Sequence, residues 1–320
     1  MAIRNTSRSH DQLEMIFPAT SANLGPAFDA AALAFKLYLS VKARSASHFS
    51  VSARGRDADV CGKVENHLVL ETYKEVLASH RKPVVPLTLQ IRNEMPIGKG
   101  CGSSAAARLA GIALAVHFGQ LTWTDEQIIG EAARREHHPD NAAACWLGGL
   151  VVARMDKDAG AHAVKIRMKG KWPLLFAVPD EALSTEEARR VLPQQYSPAD
   201  AVNNIQNSML LLGAFVQGRG DLLGSALQDR IHQPYRAALC PLLPALQAIV
   251  GQQGILGVAL SGAGPSVLVF LDPKIPTTTA KSVIRAHLKE RGLAADLMVT
   301  PIASIGAADS PGWKRHRGRR

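Results

Sequence analysis

The residues of this sequence best suited to bind an anion are three glycines at alternate positions, followed by two serines and a run of alanines. The segment consists of Pro96, Ile97, Gly98, Lys99, Gly100, Cys101, Gly102, Ser103, Ser104, Ala105, Ala106 and Ala107. Glycine permits positive φ and lets a ligand approach the backbone closely. The helix predicted to follow would add free N–H donors and the positive end of its dipole. We therefore interpret the segment as the phosphate-binding loop of a nucleotide site.

Two common nucleotide motifs do not fit this loop. No part of the sequence reads G-x-x-x-x-G-K-[ST]. In the dinucleotide fingerprint, Ser103 stands where a third glycine should follow Gly98 and Gly100. A second helix is also predicted where that fold needs a returning strand. A dinucleotide site is therefore disfavoured.

Phosphoryl transfer needs a cation and an acceptor held in line, in addition to a phosphate-binding loop. The hydroxyls of Ser103 and Ser104 lie at the predicted helix start, where they could reach Mg²⁺. Glu131 or Glu136 could add a carboxylate ligand, because Mg²⁺ prefers oxygen. A single serine at such a position is more often an N-cap, so the pair is informative only together with the glycines.

Polar residues elsewhere suggest two other kinds of site, and both are disfavoured. His137, His138 and Asp140 flank Pro139, but a further metal ligand at helical spacing is missing and proline breaks a helix there. Histidine is more often structural or substrate-facing than metal-bound. A Ser-His-Asp triad lacks the G-x-S-x-G context for either serine of the loop.

A turn-rich segment over residues 18–29 contains two more candidates for ligand binding. Asn23 and Asp29 are its strongest polar residues, among prolines, a glycine and small side chains. Asn23 could instead cap a turn, and Asp29 could cap the next element. The local sequence leaves both alternatives open.

The formal net charge of +10 is concentrated at the C-terminus. The last seven residues include Lys314, Arg315, Arg317, Arg319 and Arg320. Such a tail could contact nucleic acid or acidic lipid, but charge runs are usually solvated extensions. The 5% of aromatic residues are not interleaved with basic ones, so no stacking platform for single strands is indicated. Nucleic acid is therefore an unlikely partner.

Cysteine spacing and apolar runs bear on the compartment. The four cysteines are Cys61, Cys101, Cys145 and Cys240. They are far apart and form no CxxC pair, which is typical of proteins of a reducing cytoplasm. No run of about 18 apolar residues predicts a membrane span. The polar N-terminus lacks the apolar core of a secretory signal. We expect a cytoplasmic protein with no membrane partner.

Periodicity predicts an α+β protein with two sheets. Strands are predicted over residues 13–17, 33–41, 49–53, 87–92, 150–155, 164–168, 174–178, 256–260, 267–271 and 296–302. Helices are predicted over 66–78, from the phosphate loop to about 118, from 124 towards 137, and over 199–217, 221–232, 239–250 and 278–290. The predicted domains are 12–168 and 169–305, between a disordered tail over 1–11 and a basic disordered tail over 306–320.

Six segments together resemble the homoserine kinases of the GHMP kinase superfamily. They are residues 18–29, 96–107, 138–141 with Gly148-Gly149, 185–189, 229–236 and 260–266. The resemblance implies an N-terminal domain like domain 2 of ribosomal protein S5 and a ferredoxin-like C-terminal domain. It implies transfer of the γ-phosphate of ATP to the side-chain hydroxyl of L-homoserine, with Mg²⁺, in threonine biosynthesis. Homodimerisation is a further expectation at family level.

The resemblance also implies roles for individual residues. The loop from Pro96 to Ala107 would wrap the ATP phosphates, and Ser104, with Ser103 as second choice, would hold Mg²⁺ with Glu136. The homoserine-binding residues would be Asn23, Asp29, His138, Arg189 and Arg236. An acid suits the ammonium of a zwitterion and arginines suit its carboxylate. Asn141 would orient the acceptor hydroxyl, and Asp140 is the alternative if a base operates.

Some positions depart from the family pattern, and one alternative function remains. Ala27 and His137 each replace a common glycine, and Arg134 stands where an acidic residue is frequent. Lys99 and Cys101 are unusual in the phosphate loop. Domain architecture does not determine the substrate, so a GHMP-type kinase of a different small alcohol is the alternative. A substrate without amine and carboxylate would leave the charges of Asp29, Arg189 and Arg236 unpaired.

Overall fold

The computed structural model describes residues 11–157 and 160–317, with only the backbone described for 315–317. The strands are β1 (Gln12–Ala22), β2 (Ala31–Ser45), β3 (Ser50–Gly55), β4 (Leu87–Asn93), β5 (Leu150–Asp156), β6 (Gly160–Ile166), β7 (Leu174–Val178), β8 (Ile255–Leu260), β9 (Val267–Leu271) and β10 (Asp296–Thr300). The helices are α1 (Ala58–Cys61), α2 (Leu68–Ser79), α3 (Ser103–Phe118), α4 (Asp125–Glu136), α5 (Asp140–Leu147), α6 (Thr185–Arg190), α7 (Pro198–Gln217), α8 (Leu223–Ala226), α9 (Gln233–Arg236), α10 (Leu242–Gln247), α11 (Thr277–Glu290) and α12 (Pro311–Arg317). The predicted α+β class with two sheets is confirmed.

The first sheet is built around the long strand β2. Its order is β3-β4-β2-β5-β6, with β1 also paired to β2, and only β3 and β4 run parallel to each other. Helix α3 contacts α2, α4, α5 and strand β1, and its side chains from Ala105 to His117 are almost all buried. A helix that is apolar on nearly every side belongs inside a core. The N-terminus of α3, where the glycine loop ends, is therefore held by the centre of this domain.

The second sheet has the order β10-β7-β9-β8, with all pairs antiparallel. Numbered within the sheet, this order is 4-1-3-2, which is the ferredoxin-like arrangement. Helices α10 and α11 share a separate apolar cluster with its strands. The predicted domain boundary after residue 168 falls between β6 and β7.

Two local predictions were wrong in the loops that approach the site. Strand β1 continues to Ala22, with a register shift between Pro18 and Ala19, because a bulge tolerates proline within a pleated pair. The predicted helix 221–232 is a 3₁₀ turn and the short α8, followed by an irregular segment. There the carboxylate of Asp229 accepts the N–H groups of residues 231–233 and replaces helical hydrogen bonds.

The C-terminal segment returns to the first domain. The backbone N–H of Ala303 donates to the carbonyl of Ala34, and the Ser310 hydroxyl donates to the carbonyl of Ile16. Trp313 is 1% exposed, with its ring 5.3 Å from that of Trp146. The predicted disorder of 306–320 is therefore wrong for the described part, which forms a 3₁₀ turn over Ala307–Asp309 and α12.

The structure also bears on the predictions for the two termini, for membrane spans and for the cysteines. Residues 1–10 of the predicted N-terminal tail and residues 318–320 lie outside the described residues. Asp11 accepts a hydrogen bond from the N–H of Ser45 at the edge of the first sheet. No helix in the ranges 11–157 and 160–317 combines the length and apolar character needed to cross a bilayer. All four cysteines are free thiols.

Candidate active site

Most of the predicted site residues converge on one cleft between the two sheets; Pro96, Ile97, Lys99 and residues 105–107 of the phosphate loop do not line it. It is lined by the phosphate loop, the turn after β1, the start of α5, helices α6 and α9, and the glycine loop 262–264. The Ser261 hydroxyl donates to the carbonyl of Gly100 at 2.6 Å, which ties the second glycine loop to the first. A larger apolar groove of about 620 Å³ lies between the turn at Pro26, β5 and α7. That groove contains none of the predicted site residues.

The phosphate loop requires glycine for two separate reasons. Gly98, Gly100 and Gly102 have φ of 69°, 77° and 66°, a region that side chains disfavour. A Cβ on Gly100 would lie 2.2 Å from the carbonyl oxygen of Ser261, and one on Gly102 would lie 1.9 Å from Thr20 Oγ1. No side chain caps the N-terminus of α3. Its first N–H groups are thus available to an anion.

Two oxygen donors meet beside this helix N-terminus. Ser104 Oγ donates to Glu136 Oε1 at 2.7 Å, and Arg108 Nε donates to the same oxygen at 2.6 Å. The other predicted carboxylate, Glu131, is hydrogen-bonded to Arg134 and Arg135 and does not line the cleft. Burial acts to raise the pKa of Glu131, but the two arginines lower it further than burial raises it. Of the two glutamates, Glu136 is the one placed to bind a hard cation with Ser104.

Hydrogen bonds orient the side chains at the start of α5. Thr20 Oγ1 donates to Asn141 Oδ1 at 2.7 Å, which leaves the Nδ2 group of Asn141 as a donor facing the cleft. Asp140 Oδ1 accepts from His138 Nδ1 at 2.9 Å and from the N–H of Asn141 at 2.6 Å. Asp140 Oδ2 is buried and has no hydrogen-bond partner within the described part of the chain.

The His138 imidazole is held in an acidic environment. Burial acts to lower its pKa, but the hydrogen bond and charge of Asp140, with the charges of Asp29 and Glu136, raise the pKa above its ordinary value. Ligand atoms of Asp29, His138 and Asp140 lie within 4.8 Å of one another. These three residues line the cleft together with Asn141.

Asp29 and Arg189 form an ion pair across the domain interface. Arg189 Nη2 donates to both carboxylate oxygens of Asp29, at 2.9 and 3.0 Å. Burial raises the pKa of Asp29 even though Arg189 acts in the opposite direction. Asn23 is 3% exposed; its Oδ1 accepts the N–H of Asp29 and its Nδ2 donates to the Gly262 carbonyl. Asn23 therefore shapes the turn that carries Asp29.

Arg236 is the most deeply buried cation of the site. It is 1% exposed, and it donates to the carbonyls of Ala188 at 2.9 Å and Gly262 at 3.3 Å. Burial, with Arg189 nearby, lowers the pKa of Arg236 to about 10, so it stays charged at neutral pH. Two guanidinium groups thus face one cleft that contains the carboxylate of Asp29.

Phe28 was missed by the sequence reasoning. The guanidinium carbons of Arg189 and Arg236 lie 5.4 and 5.3 Å from the centre of its ring. Cation–π attraction offsets part of the repulsion between two like charges placed close together. The signal available in the sequence was one aromatic residue directly before Asp29.

A second feature missed from the sequence is an apolar cavity of about 430 Å³ next to the phosphate loop. Its apolar lining includes Leu39, Val60, Leu68, Val69, Ile91, Met95 and Ile97, with Asn66 and His67 among the polar residues. These residues come from β2, α1, α2 and β4, so no contiguous motif marks them. A flat heteroaromatic base fits a cavity of this composition.

The departures from the family pattern have different structural consequences. Ala27 does not have a positive φ, so alanine is accommodated there without backbone strain. His137 ends α4 with φ of 65°, in the left-handed region that favours glycine. Lys99 donates to the carbonyl of Asp180, and Cys101 is buried.

The sequence matches two family models, one on either side of the cleft. Residues 67–149 match the GHMP kinases N terminal domain, and residues 211–290 match the GHMP kinases C terminal domain. The chain is 43% identical to the homoserine kinase of Solibacter usitatus over 83% of this chain and 87% of that protein. It is 37% identical to the homoserine kinase of Deinococcus radiodurans over 90% of this chain and 94% of that protein.

Solved structures share the fold at lower identity. The homoserine kinase from Cytophaga hutchinsonii superposes with a TM-score of 0.78 at 22% identity, covering 96% of this chain and 98% of that one. The L. major mevalonate kinase in complex with R-mevalonate has a TM-score of 0.69 at 16% identity, covering 90% and 95%. At these identities the likeness concerns the fold alone.

Proposed function

This chain belongs to the homoserine kinases of the GHMP kinase superfamily, and from that premise we propose what its cleft does. It transfers the γ-phosphoryl group of ATP to the side-chain hydroxyl of L-homoserine. The products are O-phospho-L-homoserine and ADP, in a step of threonine biosynthesis. The roles of the individual residues are part of this proposal.

The observation that carries the proposal is the charge pattern of the cleft. Asp29 can accept the ammonium of an amino acid, while Arg189 and Arg236 can bind its carboxylate. Asp29 and Arg189 pair with each other, so a substrate that carries only one of the two groups would separate this pair and leave a partly buried charge uncompensated, which is costly. Asn141 and His138 line the cleft with these residues. The site thus suits a small zwitterion that carries a hydroxyl.

The donor half of the cleft suits ATP and Mg²⁺. The loop 96–107 and the free N–H groups of α3 bind the phosphates, and the apolar cavity receives the base. Ser104 and Glu136 fit Mg²⁺, because both offer hard oxygen donors within hydrogen-bonding distance of each other. Bound Mg²⁺ neutralises phosphate charge as it develops.

On the acceptor side, Asn141 Nδ2 donates to the hydroxyl oxygen and orients it towards the phosphate loop. The hydroxyl oxygen bonds to the γ-phosphorus as the bond to the ADP oxygen breaks, and the hydroxyl proton passes to an oxygen of the transferred phosphoryl group. A loose transition state needs little help from a base, so positioning and charge neutralisation carry the rate. The alternative is that Asp140 accepts the hydroxyl proton; support for it is the unpartnered Oδ2 in the same cleft.

The deciding experiment measures ADP release with ATP and Mg²⁺ for L-homoserine, D-homoserine, L-threonine, mevalonate and shikimate. We expect strong preference for L-homoserine, lost in Arg236→Ala because the carboxylate then lacks its buried cation. Arg230→Ala is the matched control, since Arg230 is an exposed arginine of the same segment. Turnover of another alcohol alone would favour the alternative substrate class. Absence of turnover with all five would overturn a kinase function.

Two further expectations remain proposals of the same kind. A cytoplasmic location is supported by the four unpaired thiols. Homodimerisation rests on the resemblance to the family.

A further inference from the structure

His232 lies in the segment 229–236, which also contains Arg236. The ring is 0% exposed. Its Nε2 lies 2.8 Å from the carbonyl oxygen of Gly25, and its Nδ1 lies 3.2 Å from Nη1 of Arg236. His232 therefore touches both the turn that carries Asp29 and the arginine assigned to the substrate carboxylate.

These two partners determine the tautomer of His232. A carbonyl oxygen accepts hydrogen bonds and cannot donate, so Nε2 carries the proton. A guanidinium donates and cannot accept, so Nδ1 must present its lone pair to Arg236. Both contacts are satisfied together by the neutral Nε2–H form.

The surroundings of the ring favour that neutral form. Burial is the largest influence and Arg236 and Arg189 act in the same direction, so that the pKa of His232 is lowered to about 4. Asp229, 3.5 Å away, acts to raise it, but its oxygens already accept backbone N–H groups of the same segment. His232 is uncharged at neutral pH as a result.

Packing fixes the same turn from several sides. A Cβ on Gly25 would lie 2.4 Å from the Leu227 carbonyl oxygen, so the two backbones are in close contact. The side chains of Asn204 and Ser208 donate to the Pro26 carbonyl. The Phe28 ring stacks on His232, with ring centres 5.1 Å apart. Within this group, His232 accepts a hydrogen bond from Arg236, whereas Phe28 contacts the same guanidinium through the face of its ring.

We propose that His232 is a positioning residue that sets the Arg236 guanidinium relative to the turn 25–29, and so confers selectivity for a substrate carboxylate. The inference rests on the proposed function, because it assigns Arg236 to that carboxylate. It predicts that loss of the His232 acceptor weakens recognition of the carboxylate and leaves nucleotide binding intact.

The test compares L-homoserine with 3-aminopropan-1-ol, which keeps the hydroxyl and the amine and lacks the carboxylate. In His232→Leu, we expect the KM for L-homoserine to rise about tenfold or more, with the KM for ATP changed less than about twofold. The ratio of kcat/KM for the two acceptors should fall by a similar factor. If His232 had a purely structural role, kcat/KM would fall equally for both acceptors and the ratio would not change. That result would overturn the proposal.

Two conservative variants separate the contacts of the ring. Asn places an oxygen near the position of Nδ1 and can still accept from Arg236, whereas Gln places its amide near Nε2 and can still donate to Gly25. His232→Asn should therefore keep more of the selectivity for L-homoserine than His232→Gln. The reverse order, or equal selectivity, would contradict the proposal. This pair carries the comparison even if His232→Leu does not fold.

The matched control is His287→Leu in α11. His287 also contacts a carbonyl, that of Ala245, and an arginine, Arg291, but outside the cleft. We expect its acceptor ratio to equal that of the unmodified protein. If the unmodified protein fails to turn over L-homoserine, the proposed function fails. If it turns over L-homoserine and the His232 variants keep its selectivity, this inference alone fails.

Discussion

The two halves of the cleft offer different kinds of binding group. The phosphate-binding part of the donor half is one contiguous segment, which offers backbone N–H groups and the N-terminal end of the buried helix α3. The acceptor half is assembled from charged side chains of separate segments: the turn after β1, the start of α5, α6 and α9. Its charges already bond to one another or to carbonyl groups of the protein.

This difference predicts different sensitivities. A backbone site fails when added atoms prevent its geometry, whatever their charge. A side-chain site fails when one charge is removed and its partner is left uncompensated. Variants in the two halves should therefore affect different kinetic constants.

The largest effect is expected for Gly102→Ala in the donor half. Its Cβ would lie 1.9 Å from Thr20 Oγ1, the group that orients Asn141, at a φ that alanine disfavours. Thr20 or the loop must shift to admit this Cβ, and a misplacement of about 1 Å in a catalytic site costs about 10²-fold in kcat/KM. Steady-state kinetics with ATP and L-homoserine checks this. Gly213→Ala in α7 is the control, since nothing lies within 4 Å of its added Cβ.

In the acceptor half, Arg189→Ala should raise the KM for L-homoserine by about 10 to 10²-fold, the equivalent of one charged hydrogen-bonded pair. The KM for ATP should change little. Arg190→Ala, one residue along α6, is the control because Arg190 is exposed and pairs only with Glu186 among the described residues. Equal effects on both KM values would show that the two halves are not separable.

At the proposed Mg²⁺ site, Glu136→Gln should raise the Mg²⁺ concentration that gives half-maximal rate by about tenfold. Glu131→Gln should not, because Glu131 pairs with Arg134 and Arg135 outside the cleft. Titration of the rate with Mg²⁺ at fixed ATP measures both. A shift in the Glu131 variant alone would reverse the assignment of the ligand.

The pH dependence of stability tests the acidic group around His138. The pKa of His138 is raised, so the folded protein binds its proton more tightly than the unfolded chain does. This contribution is fully present below about pH 6.5 and is lost as the pH rises through the folded-state pKa. His138→Gln should therefore lower the free energy of unfolding more at pH 6 than at pH 8.5. Denaturant titrations at the two pH values check the sign; a larger loss at pH 8.5 contradicts it.

The smallest effect is expected outside both halves, at His137. It is exposed with φ of 65°, so His137→Gly should stabilise the protein by up to about 1 kcal/mol through relief of backbone strain. Thermal unfolding measures the change. A destabilised variant would mean that the imidazole makes compensating contacts.

Features specified by neighbouring residues were predictable from the sequence. The predicted start of a helix at residue 124 is confirmed, where Thr124 and Gln127 form a capping box. The predicted strand before the phosphate loop is also confirmed, with Leu87, Leu89 and Ile91 buried. These depend on side chains a few residues apart on one element. Membership of the homoserine kinases was predictable for the same reason, because six short motifs carry the resemblance.

Features that depend on how helices and strands pack against one another could not be predicted from neighbouring residues in the sequence. Glu131 and Glu136 lie on one helix, and the packing of α4 decides which of them meets Ser104. Hydrogen bonds between Asp229 and the backbone replace a predicted helix, and Trp313 packs against Trp146 of the first domain in the described part of the predicted tail.

The sequence by itself thus determined the phosphate loop, the α+β class and the family, because each rests on local spacing. Tertiary structure alone decided the Asp29–Arg189 pair, the stacking of Phe28 and the contacts of His232. The Asp29–Arg189 pair and the His232–Gly25 contact join residues more than 150 positions apart, and their geometry follows from the packing of two domains.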